Sequence, residues 1–312
     1  MQTVSQVLTP DALLMLQFIS RTGSFAAAAR ALGMVPSALT YRVRQMEDAL
    51  DVLLFDRSAR RAVPTQAGLE LLRESARLLQ DLEAVANRVK RVATGWEPQF
   101  TIAVDSIIAK ATVMELCDRF LAQNPPTRIR LRDETLSGTL EALTSGLADL
   151  ALGVADLIPT TALQAKPLGD VRFVYAVAPH HPLANAPEPL TDEHMRAHRA
   201  VAVADTVSRG HGVTIGLLGG QDVFTVATMH DKLDAHLRSL GCGSVPECMA
   251  GPYIEAGRLV VKTTQGPARS VRVNYAWRTA PSGSQGKALQ WWLAQLESAT
   301  TRAALLERHR GV

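Results

Sequence analysis

Two glycines ten residues apart, Gly23 and Gly33, divide the first fifty residues into short helical segments and leave room for little else. Thr9-Pro10 joins an N-cap residue to proline at the first helical position, and Leu13, Leu14, Leu16, Phe18 and Ile19 come after them. Gly23 ends that helix. Ser24 caps a second through Ala26 to Leu32, and Gly33 stops it before a third begins near Pro36. From Ser37 to Leu50 the apolar residues Leu39, Val43, Met46 and Leu50 recur at spacings of four, three and four, leaving Thr40, Tyr41, Arg42, Arg44 and Gln45 on other faces. Periodicity alone fits both a helix-turn-helix and an ordinary three-helix bundle with solvated arginines.

The chain then passes through Leu53-Leu54-Phe55 into Asp56-Arg57-Ser58-Ala59-Arg60-Arg61 and Val63-Pro64, which predicts a short arginine-rich hairpin, a wing. Thr65 caps a helix carrying Leu69, Leu72, Ala76, Leu79, Leu82, Val85 and Val89, proline-free for about 25 residues. A dimerisation helix and an amphipathic helix packed on its own domain both have this pattern. Thr94-Gly95-Trp96-Glu97-Pro98 breaks it and marks a boundary. Beyond, the strand-like PQFTIAVD, RIRLRDE, ADLALGV, VRFVYAVAP and RAVAVAD alternate with helices from about Ile107 to Gln123, Thr139 to Gly146 and over DKLDAHLRSLG. That alternation predicts an α/β domain with a largely parallel sheet.

Composition excludes several classes. With 47% hydrophobic and 20% charged residues over 312, the chain can bury sizeable cores. Its net charge is only +3, so a nucleic-acid partner depends on where the cations sit. Within residues 35–65, five arginines (42, 44, 57, 60, 61) face four acids (47, 48, 51, 56). Three unpaired cysteines, Cys117, Cys242 and Cys248, suggest neither a disulfide framework nor a zinc site, and fit a reducing cytoplasm. The N-terminus has no export-signal pattern, and no apolar run approaches the roughly 20 residues of a membrane span. Histidines 180, 181, 194, 198, 211, 230 and 236 form no ligand pattern, so no metal or cofactor is expected; His194 and His198 read as surface residues. HExxH, GxSxG and phosphate-loop motifs are absent, and Gly216-Leu-Leu-Gly219-Gly220 fits no dinucleotide fingerprint.

Gly23-Ser24-Phe25, the alanine-rich second helix, Pro36-Ser37-Ala38-Leu39-Thr40, Glu47, Leu50, Leu54-Phe55-Asp56-Arg57 and Thr65-Gln66-Ala67-Gly68 stand in the order and spacing of the LysR-type transcriptional regulators, which the chain resembles. Similarity continues more weakly through ADLALGV, LGCGSVPECMAGPYIEAGRLV and GKALQWWLAQL, over nearly the whole chain. The resemblance implies a winged helix-turn-helix over residues 1–65, a linker helix over 66–94 that dimerises, and an effector-binding domain over 95–312. That domain has the periplasmic-binding-protein-like fold of two α/β lobes, lobe I about 98–167 and 271–312, lobe II about 168–270. The implied protein is a sequence-specific regulator of transcription, not an enzyme. Its partners are double-stranded operator DNA, copies of itself in a homodimer or homotetramer, a small-molecule effector and RNA polymerase.

In that architecture the third helix enters the major groove and the wing lies over adjacent backbone. Ser24, Pro36, Ser37, Thr40, Tyr41, Arg42 and Arg44 are the expected contacts of the helices, and Arg57, Arg60 and Arg61 those of the wing. Pro36 and Tyr41 stand where the family often has glutamine and arginine, so its base preference does not transfer. Strand ends and the helix starts after them are the expected effector site: Asp105, Ser106, Ser137, Gly138, Gly153, Val154, Thr206, Ser208 and Met229. Serine and threonine there also serve as plain helix caps. A solute-binding or enzymatic domain with a DNA-binding head, and an architectural DNA-binding protein without effector, are the alternatives.

Overall fold

Thr9 and Ser24, read as caps, start the second and third helices. The computed structural model describes residues 3–56, 61–155, 160–207, 214–279 and 285–309, with the side chains at 84 and 88 excepted. Its contacts divide the chain into two units, Met1–Val89 and Lys90–Val312. In the first, α1 (Val4–Val7), which the sequence pattern did not announce, precedes α2 (Pro10–Thr22), α3 (Phe25–Ala31) and α4 (Pro36–Leu50). Thr9 Oγ1 accepts from the Ala12 N–H and Ser24 Oγ from the Ala27 N–H, each at 3.3 Å. Gly23 and Gly33 close their helices at φ 63° and 64°, where a side chain would be strained. Leu16, Ile19, Ala28, Leu39, Val43 and Met46 interlock beneath them as a buried core.

A buried carboxylate fixes the segment after α4. Glu47 Oε1 accepts from the N–H groups of Leu54 at 2.9 Å and Phe55 at 3.4 Å, orienting the start of β1 (Phe55–Asp56). That strand pairs antiparallel with β2 (Val63–Pro64), giving the expected hairpin. Its tip, with Arg57 and Arg60, lies outside the described residues. Thr65 then donates to Leu53 O at 2.6 Å and accepts from the Gly68 N–H at 3.0 Å, which starts α5 (Gln66–Thr94). Along α5, Leu78, Leu82, Val85 and Val89 are exposed at spacings of four, three and four. This stripe includes Leu78, which the sequence pattern passed over in favour of the half-buried Leu79.

In the second unit the elements run β3 (Gln99–Asp105), α6 (Lys110–Leu121), β4 (Arg128–Glu134), α7 (Ser137–Thr144), β5 (Leu150–Ala155), β6 (Leu163–Val177), α8 (Asp192–Arg196), β7 (Ala200–Val203) and β8 (Val223–Val226). They continue with α9 (Met229–Leu237), β9 (Gly243–Pro246), α10 (Glu247–Glu255), β10 (Val260–Lys262), β11 (Arg269–Arg278), α11 (Lys287–Leu296) and α12 (Ala299–Glu307). Helix α6 begins three residues later than the sequence predicts, because Ile107 and Ile108 turn into the core first.

The expectation of a largely parallel sheet is corrected to a mixed one. Parallel pairing joins β3 to β4 and β5, and β7 to β8. The remaining ladders, β6 with β9, β10 and β11, and β11 with β5, are antiparallel. The cause is the length of β6 and β11, which lie side by side from Leu163↔Arg278 to Phe173↔Arg269 and so run out of one lobe into the other and back. One lobe is built on β3, β4, β5 and the ends of β6 and β11 nearest Leu163 and Arg278. Around the Val177 end of β6, β9, β10 and the β7–β8 pair build the other.

The last helices complete the first lobe. Trp292 is fully buried, and Phe120 of α6 meets the Trp291 ring edge-on at 5.1 Å. Buried Glu97 accepts from the Ala288 and Leu289 N–H groups at 3.0 and 3.4 Å, capping α11 from across the sequence.

A Cβ on Gly68 would lie 2.0 Å from the Leu54 carbonyl oxygen. Gly68→Ala, which gains helix propensity, is therefore expected to destabilise the first unit by about 1–3 kcal/mol. Denaturant unfolding followed by circular dichroism measures the sign.

Candidate functional site

Helix α4 carries a buried face and a free one. Leu39, Val43 and Met46 are buried, whereas Pro36, Ser37, Thr40, Tyr41, Arg42 and Arg44 are exposed. Tyr41 shows 63% of its surface, high for an aromatic ring. The Thr40 hydroxyl donates to Pro36 O at 2.9 Å, so in this state it is turned onto its own helix. Ser24 is half-buried and its oxygen is spent as the cap of α3. Exposed Arg61 comes just after the hairpin tip. A recess of about 460 Å³ gathers Ser24, Thr40, Arg44 and Arg61 along one side of the unit, together with Glu47 and Asp56. Of the expected residues that are described, Ser24, Thr40, Arg44 and Arg61 thus line one recess, while Pro36, Ser37, Tyr41 and Arg42 are exposed outside it.

The second constellation lies in the unit Lys90–Val312, where β3 ends and α7 begins. Asp105 is buried, and it accepts from three donors: the Ile107 N–H at 3.0 Å, the Leu136 N–H at 3.0 Å and the Thr139 hydroxyl at 3.1 Å. Burial pushes its carboxyl up to about 7, against the pull of Ile107, Thr139 and Leu136 and with a smaller push from Asp205. Gly153, at φ 95°, lets β5 pass beside it; a Cβ there would lie 2.6 Å from the Asp105 Cβ. Ser106 Oγ accepts from the Met229 N–H at 3.4 Å, joining the start of α9 to the end of β3.

Across the cleft, residues after β7 meet the first turn of α7. Asp205 accepts from the Ser137 hydroxyl and, at 3.2 Å, from the Gly138 N–H. Thr206 Oγ1 accepts from the Thr135 N–H at 2.9 Å and lies 3.2 Å from Thr135 O, while the Thr135 hydroxyl donates to Ala204 O at 2.5 Å. A Cβ on Gly138 would fall 1.9 Å from Thr206 Oγ1.

Asp105, Ser106, Ser137, Gly138, Gly153, Thr206 and Met229 are thus brought together where the ends of β3 and β5, the starts of α7 and α9 and the segment after β7 meet. The Val154 side chain instead packs with Ala103, Ala142 and Leu143, away from it, and its carbonyl accepts from Asn274 at 3.2 Å. Ser208 lies outside the described residues. Sequence reasoning passed over Thr135 and Asp205; the place of Asp205 at the end of the RAVAVAD run was the available signal. His194, read as a surface residue, has its ring nitrogen Nδ1 3.4 Å from the Thr191 N–H in a capping box of α8.

Two family models match the chain, "Bacterial regulatory helix-turn-helix protein, lysR family" over residues 10–69 and "LysR substrate binding domain" over residues 93–301. The HTH-type transcriptional regulator YhaJ of Escherichia coli O157:H7 is 35% identical over 292 residues, 93% of this chain and 96% of its own. YeeY of Escherichia coli K12, also an HTH-type transcriptional regulator, is 33% identical over 283 residues, 90% of this chain and 91% of its own. Among solved structures, full-length CbnR complexed with its target DNA is similar with a TM-score of 0.60 at 15% identity, covering 94% of this chain and 100% of that one. At that identity the likeness is one of fold.

A carboxyl held above its ordinary 3.8 binds its proton more tightly in the folded chain. It therefore favours the folded state in acid, and that contribution is lost as pH rises through about 7. The stability of the second unit is expected to fall with pH between about 4 and 7, and Asp105→Asn to flatten this slope. Thermal unfolding of both proteins across that range reads the difference.

Proposed function

Given that this chain belongs to the LysR-type transcriptional regulators, sequence-specific DNA-binding proteins modulated by a small-molecule effector, we propose that α4 reads the major groove, the α5 stripe pairs two copies, and the cleft at Asp105 takes the effector. One observation carries the DNA reading. The face of α4 from Pro36 to Arg44 is exposed at Ser37, Tyr41, Arg42 and Arg44, while the opposite face is locked in the core. An exposed helix face so composed matches the width and donor–acceptor code of the major groove. Arg61, with Arg57 and Arg60 of the wing, supplies backbone charge; Ser37, Tyr41 and a rotated Thr40 supply discrimination.

The α5 stripe supports self-association. Leu78, Leu82, Val85 and Val89 have the alternating spacing of a helix seam and are exposed in the single chain, and burial against a second copy removes that apolar surface from water. Two copies bring two α4 helices to a site of two-fold symmetry, and a dimer of dimers extends it. The proposed arrangement is a winged helix-turn-helix up to residue 65, a dimerising helix over 66–94 and the sensing domain beyond. Effector binding favours one arrangement of the lobes and so changes how the heads sit on the operator and meet RNA polymerase. The protein works by binding rather than by catalysis, in the cytoplasm; no helix among the described residues is long and apolar enough to cross a membrane.

Gel-shift titration on the DNA flanking its own gene, against an unrelated fragment and at several salt concentrations, tests this. Arg61→Ala is expected to weaken binding to both fragments and to reduce the salt slope by about 0.9, one phosphate's worth. Tyr41→Ala is expected to change the preference between them. Equal binding of both fragments by the wild-type protein would reject sequence-specific recognition. For the seam, Leu82→Glu is expected to shift the sedimenting species toward monomer with the helical signal retained; an unchanged oligomer would rule the stripe out.

A further inference from the structure

Helix α7 starts without a cap of its own. Its N-cap residue, Leu136, sits at φ 53° and ψ −122°, strained for a leucine, and makes no side-chain cap bond. Four donors of residues 136–139 nonetheless meet two carboxylates from two different directions, and the Gly138 N–H also donates to Thr135 O at 3.1 Å. Asp105, from the same lobe, takes Leu136 N–H and the Thr139 hydroxyl. Asp205, from the other lobe and 67 residues away from Gly138, takes the Gly138 N–H and the Ser137 hydroxyl. Its Oδ1 also accepts from Val207 N–H at 3.2 Å, which holds the carboxylate in its own loop while it reaches across. The flanking Thr135–Thr206 and Thr135–Ala204 bonds zip the two segments together on one side. The contact is so close that only glycine fits at 138.

A helix start with free donors favours an anion, through its unsatisfied N–H groups and the positive end of its dipole. Here the anion is part of the chain. We infer that Asp205 is a built-in ligand of the cleft: its carboxylate bonds the first turn of α7 and holds the two lobes closed with no effector present. Rather than filling an empty cleft, an external carboxylate gains this seat only by displacing Asp205. The chain's own carboxylate therefore favours the arrangement in which residues 204–207 meet residues 135–138. The link to regulation rests on the reading of this cleft as the effector site.

The test substitutes Asp205 and offers the seat to the simplest carboxylate. Full-length wild type and Asp205→Ala are compared by hydrogen–deuterium exchange in peptides covering residues 133–140 and 200–207, in sodium chloride and in sodium acetate of equal ionic strength. The variant is expected to exchange at least tenfold faster than wild type in chloride at these peptides alone, and acetate to slow it back toward wild type without affecting the wild-type protein. Unchanged exchange in the variant, or an acetate effect equal in both proteins, would overturn the inference. Asp205→Asn, close in size but uncharged, guards against a misfolded alanine variant; it is expected to exchange faster at the same peptides, and wild-type rates in it would likewise overturn the role of the carboxylate. Operator titration of the same samples separates the two readings. Fast exchange with unaltered DNA binding supports the latch and rejects its coupling to regulation, whereas loss of wild-type operator binding rejects the functional reading alone.

Discussion

The pairing of β6 with β11 is the constraint on which the second unit depends. Over ten registered pairs, from Leu163↔Arg278 to Phe173↔Arg269, two strands share one ladder and belong to both lobes. The strands beside them are placed by this ladder: β5 on one side of β11, β9 and β10 against β6. Because backbone hydrogen bonds in a ladder are obligatory in a buried setting, this seam cannot slip by one residue without turning Val171, Val273 and Tyr275 out of the core. The cleft lies on a fixed hinge, and what can vary is the closure of residues 204–207 on 135–138.

The two units meet different demands with similar means. In both, a buried carboxylate collects N–H groups from a neighbouring segment: Glu47 takes those of Leu54 and Phe55, and Asp105 takes those of Ile107 and Leu136. Such a group costs free energy to bury and is held by its donors. In the first unit the result is a fixed placement of the hairpin against α4. In the second it is a carboxyl poised near neutrality beside the contact between the lobes.

What the sequence shows clearly is what local chemistry decides. Thr9-Pro10, Gly23-Ser24, Gly33 and Thr65 each fix a helix end through one or two backbone bonds within a few residues, and all are found where the pattern puts them. Strands β3 and β5 carry their own apolar runs, β4 alternates Ile129 and Leu131 with arginines, and all three were equally legible. The crossing strands were harder, because Pro167 and Gly169 interrupt β6 and the register of β11 shifts between Val273 and Asn274. Only a partner a hundred residues away makes one element of each. Asp205 was hard to read for the same reason: beyond the Val207 N–H in its own loop, the donors it meets belong to a helix start in the other lobe. Thr139 and Gly153 show the intermediate case, where residue type is suggestive and the neighbour Asp105 supplies the meaning.

The Glu97 cap of α11 carries a consequence for biosynthesis. Residues 97 and 288 are neighbours in space and among the first and last parts of the sensing unit to leave the ribosome. The lobe built on β3 lacks its Trp292 plug and the cap partner of Glu97 until residues 288–292 have been made. The core of residues 1–89 contains only residues already synthesised by then. Translation therefore delivers a DNA-binding head that can fold early and a sensing domain whose first lobe must wait for its last helices.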